Sequence, residues 1–377
     1  MSFVNTQQAG CIQPLKKIRI GVVGLGTRAS WICALMQKES SLVKLECVVD
    51  PDRLSIDRHV EESGLAVDRN FAYFQDLEQL LVRGVELDGI VVGTRCDLHT
   101  PIATKLMLLG IPLFLEKPVA ISWQQLADLR DACRKAASNI VVSFPLRCTP
   151  IYERVKQRLD AGDLGCINQI AAFNFVNYGN VYIDEWYRDY QTTGGLWLQK
   201  ATHDFDYIHH LVNDTPLRIS AMHSRKVWEE NIKHQDAGSA MIMYSSGLHA
   251  AYSQNFVSKF AAGKRGARIT GEYASIEFDW NQSLIHRCDH QTNKVETQHI
   301  SNEDGHGGGD RRLAKHFLDV IAGETKSQVT LQDGLLSAAT CLAARDAAYN
   351  KTVEVIPSFG DHQTLAASSQ IIEPPLS

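Results

Sequence analysis

No run of apolar residues in this 377-residue chain approaches the roughly 20 that a membrane-spanning helix needs, so no membrane partner is expected. Neither sign of charge is in excess. Against 38 Lys and Arg stand 43 Asp and Glu, and a formal net charge of -5 gives no footing for nucleic acid or an anionic lipid surface. There is no CxxC pair. The nine cysteines are odd in number and scattered, some inside apolar runs such as "LECVVD" and "AATCLAA". That argues for free buried thiols in a reducing compartment. The opening "MSFVNTQQAGCIQP" lacks a basic segment followed by an apolar run, which points to a cytoplasmic location. Neither an internal repeat nor a low-complexity block is visible.

What is present is a length that suggests two domains. Residues 1–14 read as a loose arm. From 15 to 146, short apolar strands ("IRIGVVG", "LVKLECVVD", "LDGIVVGT", "PLFLEKP", "NIVVSFP") alternate with helical stretches such as "SWQQLADLRDACRKA", opened by Ser122 as N-cap. Nearly all-apolar strands between helices indicate a parallel sheet covered on both faces. Beyond Pro150 the pattern changes. Alternating segments such as "GSAMIMYSSGLHAAYSQNF" and "ARITGEYASIEFDW" predict a second α/β domain over 147–357, with an open, mostly antiparallel sheet and two closing helices. Residues 358–377 read as a loose tail.

Gly24-Leu25-Gly26-Thr27-Arg28-Ala29 reads G-x-G-x-x-A between a strand and a helix. In that context Gly24 permits the tight turn and Gly26 lets the backbone approach a pyrophosphate. Ala29 keeps the helix close to the strand, and the helix N-terminus, with Thr27 and Arg28, faces the phosphates. Asp50 ends the second strand, 26 residues after Gly24, where an acid accepts hydrogen bonds from a ribose 2′-hydroxyl. NAD is therefore the expected cofactor. Arg53, in "DPDR", keeps NADP open.

"LFLEKPVA" at the end of a late strand resembles the signature of the Gfo/Idh/MocA oxidoreductases. "GVVGLG", "DGIVVGTRCDLHTPIA", "LRCTPIYERVKQRLDAGDLG", "TGGLWLQKATHDFDYIHHL" and "ITGEYASIEF" follow in that family's order and spacing, over about residues 16–356. The resemblance implies a Rossmann domain, a C-terminal α/β domain whose sheet often joins subunits, and hydride transfer between a nicotinamide and a sugar or polyol. It makes Lys117, the lysine of Glu116-Lys117-Pro118, a catalytic and substrate-binding group. An ammonium there can polarise a carbonyl or help remove a hydroxyl proton. Glu116 would orient Lys117 or sit near the nicotinamide ribose. Thr94 and His99 match the loop over which the cofactor passes, although His99 equally suits capping of the next helix. Arg147 suits either cofactor or substrate contact or an interdomain salt bridge.

"TGGLWLQKATHDFDYIHHL" departs from the family's usual Asp-x-x-x-His. His203 and Asp206 match, but Gln199 stands at the first position and Lys200 follows it. It resembles a subgroup with Lys-x-x-His, in which "GHGGGDRRL" is a companion motif whose His306 and Asp310 would bind sugar hydroxyls. Helical spacing places Gln199, His203, Asp206 and His210 on one stripe. His203 is the expected proton-transfer residue, Lys200 a second cation at the reacting centre, and Gln199 a substrate contact. A metal held by His203, Asp206 and His210 is opposed by Lys200, and none is expected. The reading is thus a homo-oligomeric carbohydrate oxidoreductase. Its alternatives are a glycoside-processing enzyme with retained NAD and a cofactor-binding regulatory protein without turnover.

Overall fold

The computed structural model describes residues 17–68, 71–136, 138–177, 179–228, 234–301 and 305–359. The arm expected at 1–14 and nearly all of the tail expected at 358–377 lie outside these residues. The first half runs β1 (Ile18–Val23), α1 (Thr27–Glu39), β2 (Val43–Val49), α2 (Arg53–Ser63), β3 (Ala72–Phe74), α3 (Leu77–Arg83) and β4 (Gly89–Val92). It continues with α4 (His99–Leu106), β5 (Leu113–Leu115), α5 (Trp123–Cys133) and β6 (Ile140–Val142). All six strands are parallel, in the order β3-β2-β1-β4-β5-β6. Strands β4 and β5 are buried along their whole length, as a sheet covered on both faces requires. The order reverses between β1 and β4, which opens a crevice at the C-terminal ends of those strands.

Two elements here were not legible in the sequence. Strand β3 has only three half-buried residues, and α2 buries Ile56 alone, so neither shows an apolar pattern. Helix α2 is defined by its ends instead. Asp52 caps it by accepting from the amides of Leu54 and Ser55, and Gly64 closes it in the left-handed conformation.

The second half begins with α6 (Pro150–Asp160), β7 (Ile167–Phe175), the single turn α7 (Tyr190–Thr193) and α8 (Thr202–Val212). Seven strands follow: β8 (Pro216–Ser224), β9 (Ala237–Tyr244), β10 (His249–Asn255), β11 (Lys264–Gly271), β12 (Ala274–Asp279), β13 (Leu284–Asp289) and β14 (Val295–His299). The half closes with α9 (Gly309–Ile321), α10 (Leu331–Asn350) and β15 (Val353–Val355). The nine-stranded sheet runs β14-β13-β12-β11-β7-β10-β9-β8-β15, and only the β7–β10 pairing is parallel. Helix α8 lies on one face. Phe205 meets Tyr252 edge-on at 5.1 Å between ring centres, and Tyr207 meets Trp280 at 5.0 Å.

Helices α9 and α10 return to the first half. Phe317 on α9 packs edge-on against Phe114 of β5, and Gly334 on α10 lies against Val119 and Val142. One apolar core therefore runs continuously through both halves. Among the described residues no helix is long and apolar enough to cross a membrane.

Candidate active site

The glycine turn follows β1 directly. Gly24 has φ +81°, and a Cβ there would stand 2.6–2.7 Å from Thr94, so only glycine fits. Ala29 packs on Gly93, where any larger residue would collide, and this draws α1 against β4. Gly26 is different. A Cβ at this N-cap of α1 would meet nothing within 4 Å. The protein's own packing does not demand that glycine. Open space before a helix N-terminus fits close approach by a pyrophosphate. Asp50 accepts from the Leu25 amide (3.0 Å) and the Asp52 amide (2.9 Å), which ties the end of β2 to the glycine turn. The Arg53 guanidinium lies over the rings of Phe71 and Tyr73, at 4.8 and 5.2 Å. Thr27 is exposed at the first turn of α1 and approaches His59 at 3.4 Å. These residues suit a dinucleotide, with Asp50 and Arg53 at the ribose end.

Lys117 leaves the C-terminal end of β5, half-buried, just before a cis peptide to Pro118. Its Nζ donates to the backbone carbonyl of Gln199 at 2.9 Å, joining the two halves across the crevice. That carbonyl belongs to a turn the sequence did not reveal. Trp197–Ala201 form a π-helical turn ahead of α8, so the uniform α spacing assumed for Gln199 to His210 does not hold at its start. Such wide turns are common at functional sites. Lys200 on this turn is buried at 4% exposure, with its Nζ 5.3 Å from the centre of the Tyr182 ring. Burial, aided by Arg265 and opposed by Asp204, pulls the lysine down to about 7.

His203 is 3% exposed, and its Nδ1 is buried without a hydrogen-bond partner. Burial first, then the positive charges of Lys117 and Arg265, hold its imidazole well below the ordinary value. It is therefore neutral at pH 7 and able to accept a proton. Its ring stands 5.6 Å from that of His306, centre to centre. His306 lies in a left-handed turn (φ 50°, ψ 39°) followed by Gly307 and Gly308 at positive φ. Its Nδ1 donates to Asp310 Oδ2 at 2.9 Å.

Several predicted residues are committed inside the protein. Arg28, expected at the cofactor, turns inward. Its Nε donates to Glu116 (3.0 Å), while Nη2 donates to Asp310 (2.7 Å) and Ser143 (3.2 Å). Glu116 thus pairs with Arg28. His99 spans the carbonyls of Pro118 (2.8 Å) and Thr94 (3.0 Å), so both ring nitrogens are engaged and it braces the loop rather than touching a ligand. Burial lowers its basicity, although two carbonyl acceptors favour the protonated ring. Arg147 is paired with Asp206 at 2.8 and 2.6 Å and with Asp333 at 3.0 Å. Removing one partner of so buried a pair costs about 3–5 kcal/mol, which makes this a structural tie between α8, α10 and the segment after β6. Asp206 accordingly holds α8 to its neighbours. Gln199 donates to the Tyr187 carbonyl at 3.1 Å and leaves its buried Oε1 unpartnered. His210 pairs with Tyr152, and His209 bridges Tyr244 (2.8 Å) and Thr340 (3.0 Å). Among the described residues no three His, Cys, Asp or Glu side chains are grouped to hold a metal ion.

A polar layer lies beneath Lys200 that none of the sequence motifs marks. Asp204, fully buried, accepts from Arg265 Nε (2.9 Å), Tyr252 (2.8 Å) and Asn174 (2.7 Å). A signal existed. The core-facing positions of β7 (170, 172, 174) and β10 (250, 252, 254) end in Asn174 and Gln254, polar residues on an otherwise apolar face. Their register also brings Gln254, Asn174 and Arg265 into one row across three strands.

A doubly wound parallel sheet with a glycine turn fitted to a pyrophosphate, joined to a second α/β half across the crevice, defines a two-domain nicotinamide-dinucleotide-binding protein. Residues 18–144 match the oxidoreductase family with an NAD-binding Rossmann fold, and residues 152–277 match the GFO/IDH/MocA C-terminal domain. The chain belongs to the Gfo/Idh/MocA family. Among curated relatives, the rhizopine catabolism protein MocA of Rhizobium meliloti is 21% identical over 220 residues, covering 58% of this chain and 65% of that protein. The 1,5-anhydro-D-fructose reductase of Ensifer adhaerens is 25% identical over 278 residues, 71% of this chain and 79% of the reductase. The chain spans 47% to 65% of the length of the first curated relatives it matches. A solved structure of levoglucosan dehydrogenase with NADH and levoglucosan superposes with a TM-score of 0.78. It is 17% identical and covers 91% of this chain and all of that one, a likeness of fold.

Proposed function

We propose that this protein is an NAD(P)-dependent oxidoreductase that acts on a secondary hydroxyl, or the corresponding ketone, of a sugar, polyol or anhydrosugar. Residues 15–146 serve as the cofactor domain and 147–357 as the substrate and subunit-contact domain. The observation that carries this reading is the meeting, across the crevice, of Lys117 from the β5 end with the π-turn that leads into His203, whose imidazole feels the charge of Lys117. The relatives named for an anhydrofructose and for inositols support the substrate class. Small neutral substrates also suit a site whose charged side chains are largely paired with one another.

The nicotinamide, when bound, supplies the hydride acceptor or donor. Gly24, Gly26 and the start of α1 hold its pyrophosphate, and Asp50 takes the 2′-hydroxyl, which favours NAD over NADP. Lys117 hydrogen-bonds the reacting oxygen and stabilises negative charge that builds on it. Neutral His203 accepts the hydroxyl proton in oxidation and returns it in reduction. Lys200 adds a second donor over the same region, and Gln199 Oε1 accepts from a neighbouring hydroxyl. The open face of the nine-stranded sheet carries a recess of about 960 Å³ lined by Ala171, Ser220, Ser239, Ala251 and Ser253, beside exposed Met222 and Met241. Small and flexible apolar side chains on an uncovered sheet suit contact with a second copy.

The test combines cofactor retention with turnover. Nicotinamide nucleotide is expected to bind the purified protein. Its reduced form is expected to accumulate with one or more of a panel of inositols, anhydrosugars and sugars. Lys117→Ala should abolish that turnover while leaving cofactor affinity within about tenfold, because the reacting oxygen and not the phosphates loses a partner. Wild-type rates in that variant would remove Lys117 from the reaction. Cleavage of a glycoside without accumulated NADH would move the protein to redox-assisted glycoside processing, and binding without any turnover to a regulatory role.

A further inference from the structure

Resting on this reading, the geometry points to a proton outlet. We infer that His306, fixed by Asp310 and Arg28, relays the proton between buried His203 and solvent. His203 is well placed to take a proton from a substrate hydroxyl, but at 3% exposure it has almost no surface open to bulk water. The ring of His306 lies 5.6 Å away and its side chain is 26% exposed, so it spans the buried base and the surface.

Three features fix His306 for that task. Its Nδ1–H donates to Asp310, which assigns the proton to Nδ1 and leaves Nε2 as the exchanging nitrogen. Asp310 is in turn held by Arg28, and Arg28 by Glu116. Burial alone would raise the Asp310 carboxyl, but Arg28 and His306 hold it well below the usual carboxylate range, so it stays ionised. The backbone of His306 is left-handed, and Gly309 beyond it packs so closely on the Pro145 carbonyl that no Cβ fits. Among the described residues, the charged or titratable groups facing His306 include His203 from α8, Asp310 from α9, Arg28 from α1 and Arg265 from β11. Asp310 is the anion of this set. It favours the imidazolium that forms in transit, while burial with Arg28 and Arg265 keeps that state short-lived.

The step balances without another reactant. In oxidation the hydroxyl proton passes to neutral His203. From there it moves to Nε2 of His306, directly or through one bridging hydroxyl, and then to water. The electron pair of the carbinol C–H bond leaves as hydride to the cofactor. Reduction runs the same path inward.

The experiment uses the holoprotein with NAD and ¹⁵N-labelled histidine. Nuclear magnetic resonance should show the Nδ1–H tautomer at His306. The His306→Asn variant should slow exchange of the His203 ring N–H with water by about tenfold or more. Asn tolerates the left-handed conformation, so the fold is kept, and an unchanged melting temperature verifies this. Asp310→Asn should disturb the His306 tautomer without removing the ring. Unaltered His203 exchange in His306→Asn, or an Nε2–H tautomer in the native protein, would overturn the relay. Neither readout needs turnover, so a failure to oxidise any sugar is told apart from a failure of the relay. On a substrate that does turn over, His306→Asn should lower kcat about tenfold with KM within twofold, and added imidazole should restore part of the rate. An unchanged kcat would equally reject the relay.

Discussion

At Lys200 the burial of a charged group and its proposed role in the reaction pull in opposite directions. A lysine at 4% exposure, pulled to about 7, is partly neutral at physiological pH, whereas the unfolded chain keeps it protonated up to about 10.4. Between those values the unfolded state binds more protons, so stability rises with pH across that window. Lys200→Met should remove the dependence and raise the melting temperature at pH 7 by a few degrees, since a thioether chain fills a similar volume without a charge to desolvate. It should also lose most turnover. Thermal unfolding of both proteins between pH 6.5 and 10 checks the first claim. A methionine variant less stable than the native chain would show that Lys200 makes interactions outweighing its burial.

At the scale of elements, two glycines separate packing from function. Gly309→Ala should cost about 1–3 kcal/mol, because the Pro145 carbonyl occupies the space and α9 would have to shift. Gly26→Ala should leave the melting temperature essentially unchanged, since its Cβ meets no protein atom, yet weaken NAD binding at least tenfold. Thermal unfolding with cofactor titration separates the two, and equal NAD affinity in the alanine-26 variant would remove the pyrophosphate from that position. This contrast also explains what was legible in the sequence. The Rossmann half was readable because its turns and strands are fixed by local rules: positive φ at Gly24, apolar runs in β4 and β5, a cap at Ser122. The ordered motifs then placed Lys117 and His203. The π-turn at Trp197–Ala201 was not readable, since one extra residue per turn leaves no compositional mark. Nor were the inward turn of Arg28 and the pairing of Arg147 with Asp206, whose partners lie 282 and 59 residues away. A side chain's sequence position names its element, while its partner depends on how distant elements meet.

For the whole molecule, the uncovered face of the nine-stranded sheet is the surface proposed for subunit contact. Met222 is 81% exposed and Met241 is 44% exposed beside the recess. The double variant Met222→Glu, Met241→Glu should sediment as a monomer while the native protein sediments as a dimer or larger. A native monomer would dismiss the sheet as a subunit contact. Helix α8, which carries His203, packs through Phe205 and Tyr207 on the other side of that sheet, and loss of assembly is expected to lower activity less than it lowers thermal stability.

If the proposed function holds, the tie from Arg28 to Asp310 is a route by which NAD and a sugar would be coupled. Arg28 lies in the first turn of α1, directly after the glycine turn, and Asp310 lies in the first turn of α9, paired with His306. Whatever factor NAD adds to sugar affinity through that bond, the sugar must add to NAD affinity. Calorimetric titration of NAD with and without a bound sugar should return the same coupling as the reverse order. In Arg28→Lys, which keeps the charge but loses the two-pronged grip, that coupling should shrink toward one. The chain would then behave as two adjoining binding proteins whose ligands no longer report on each other.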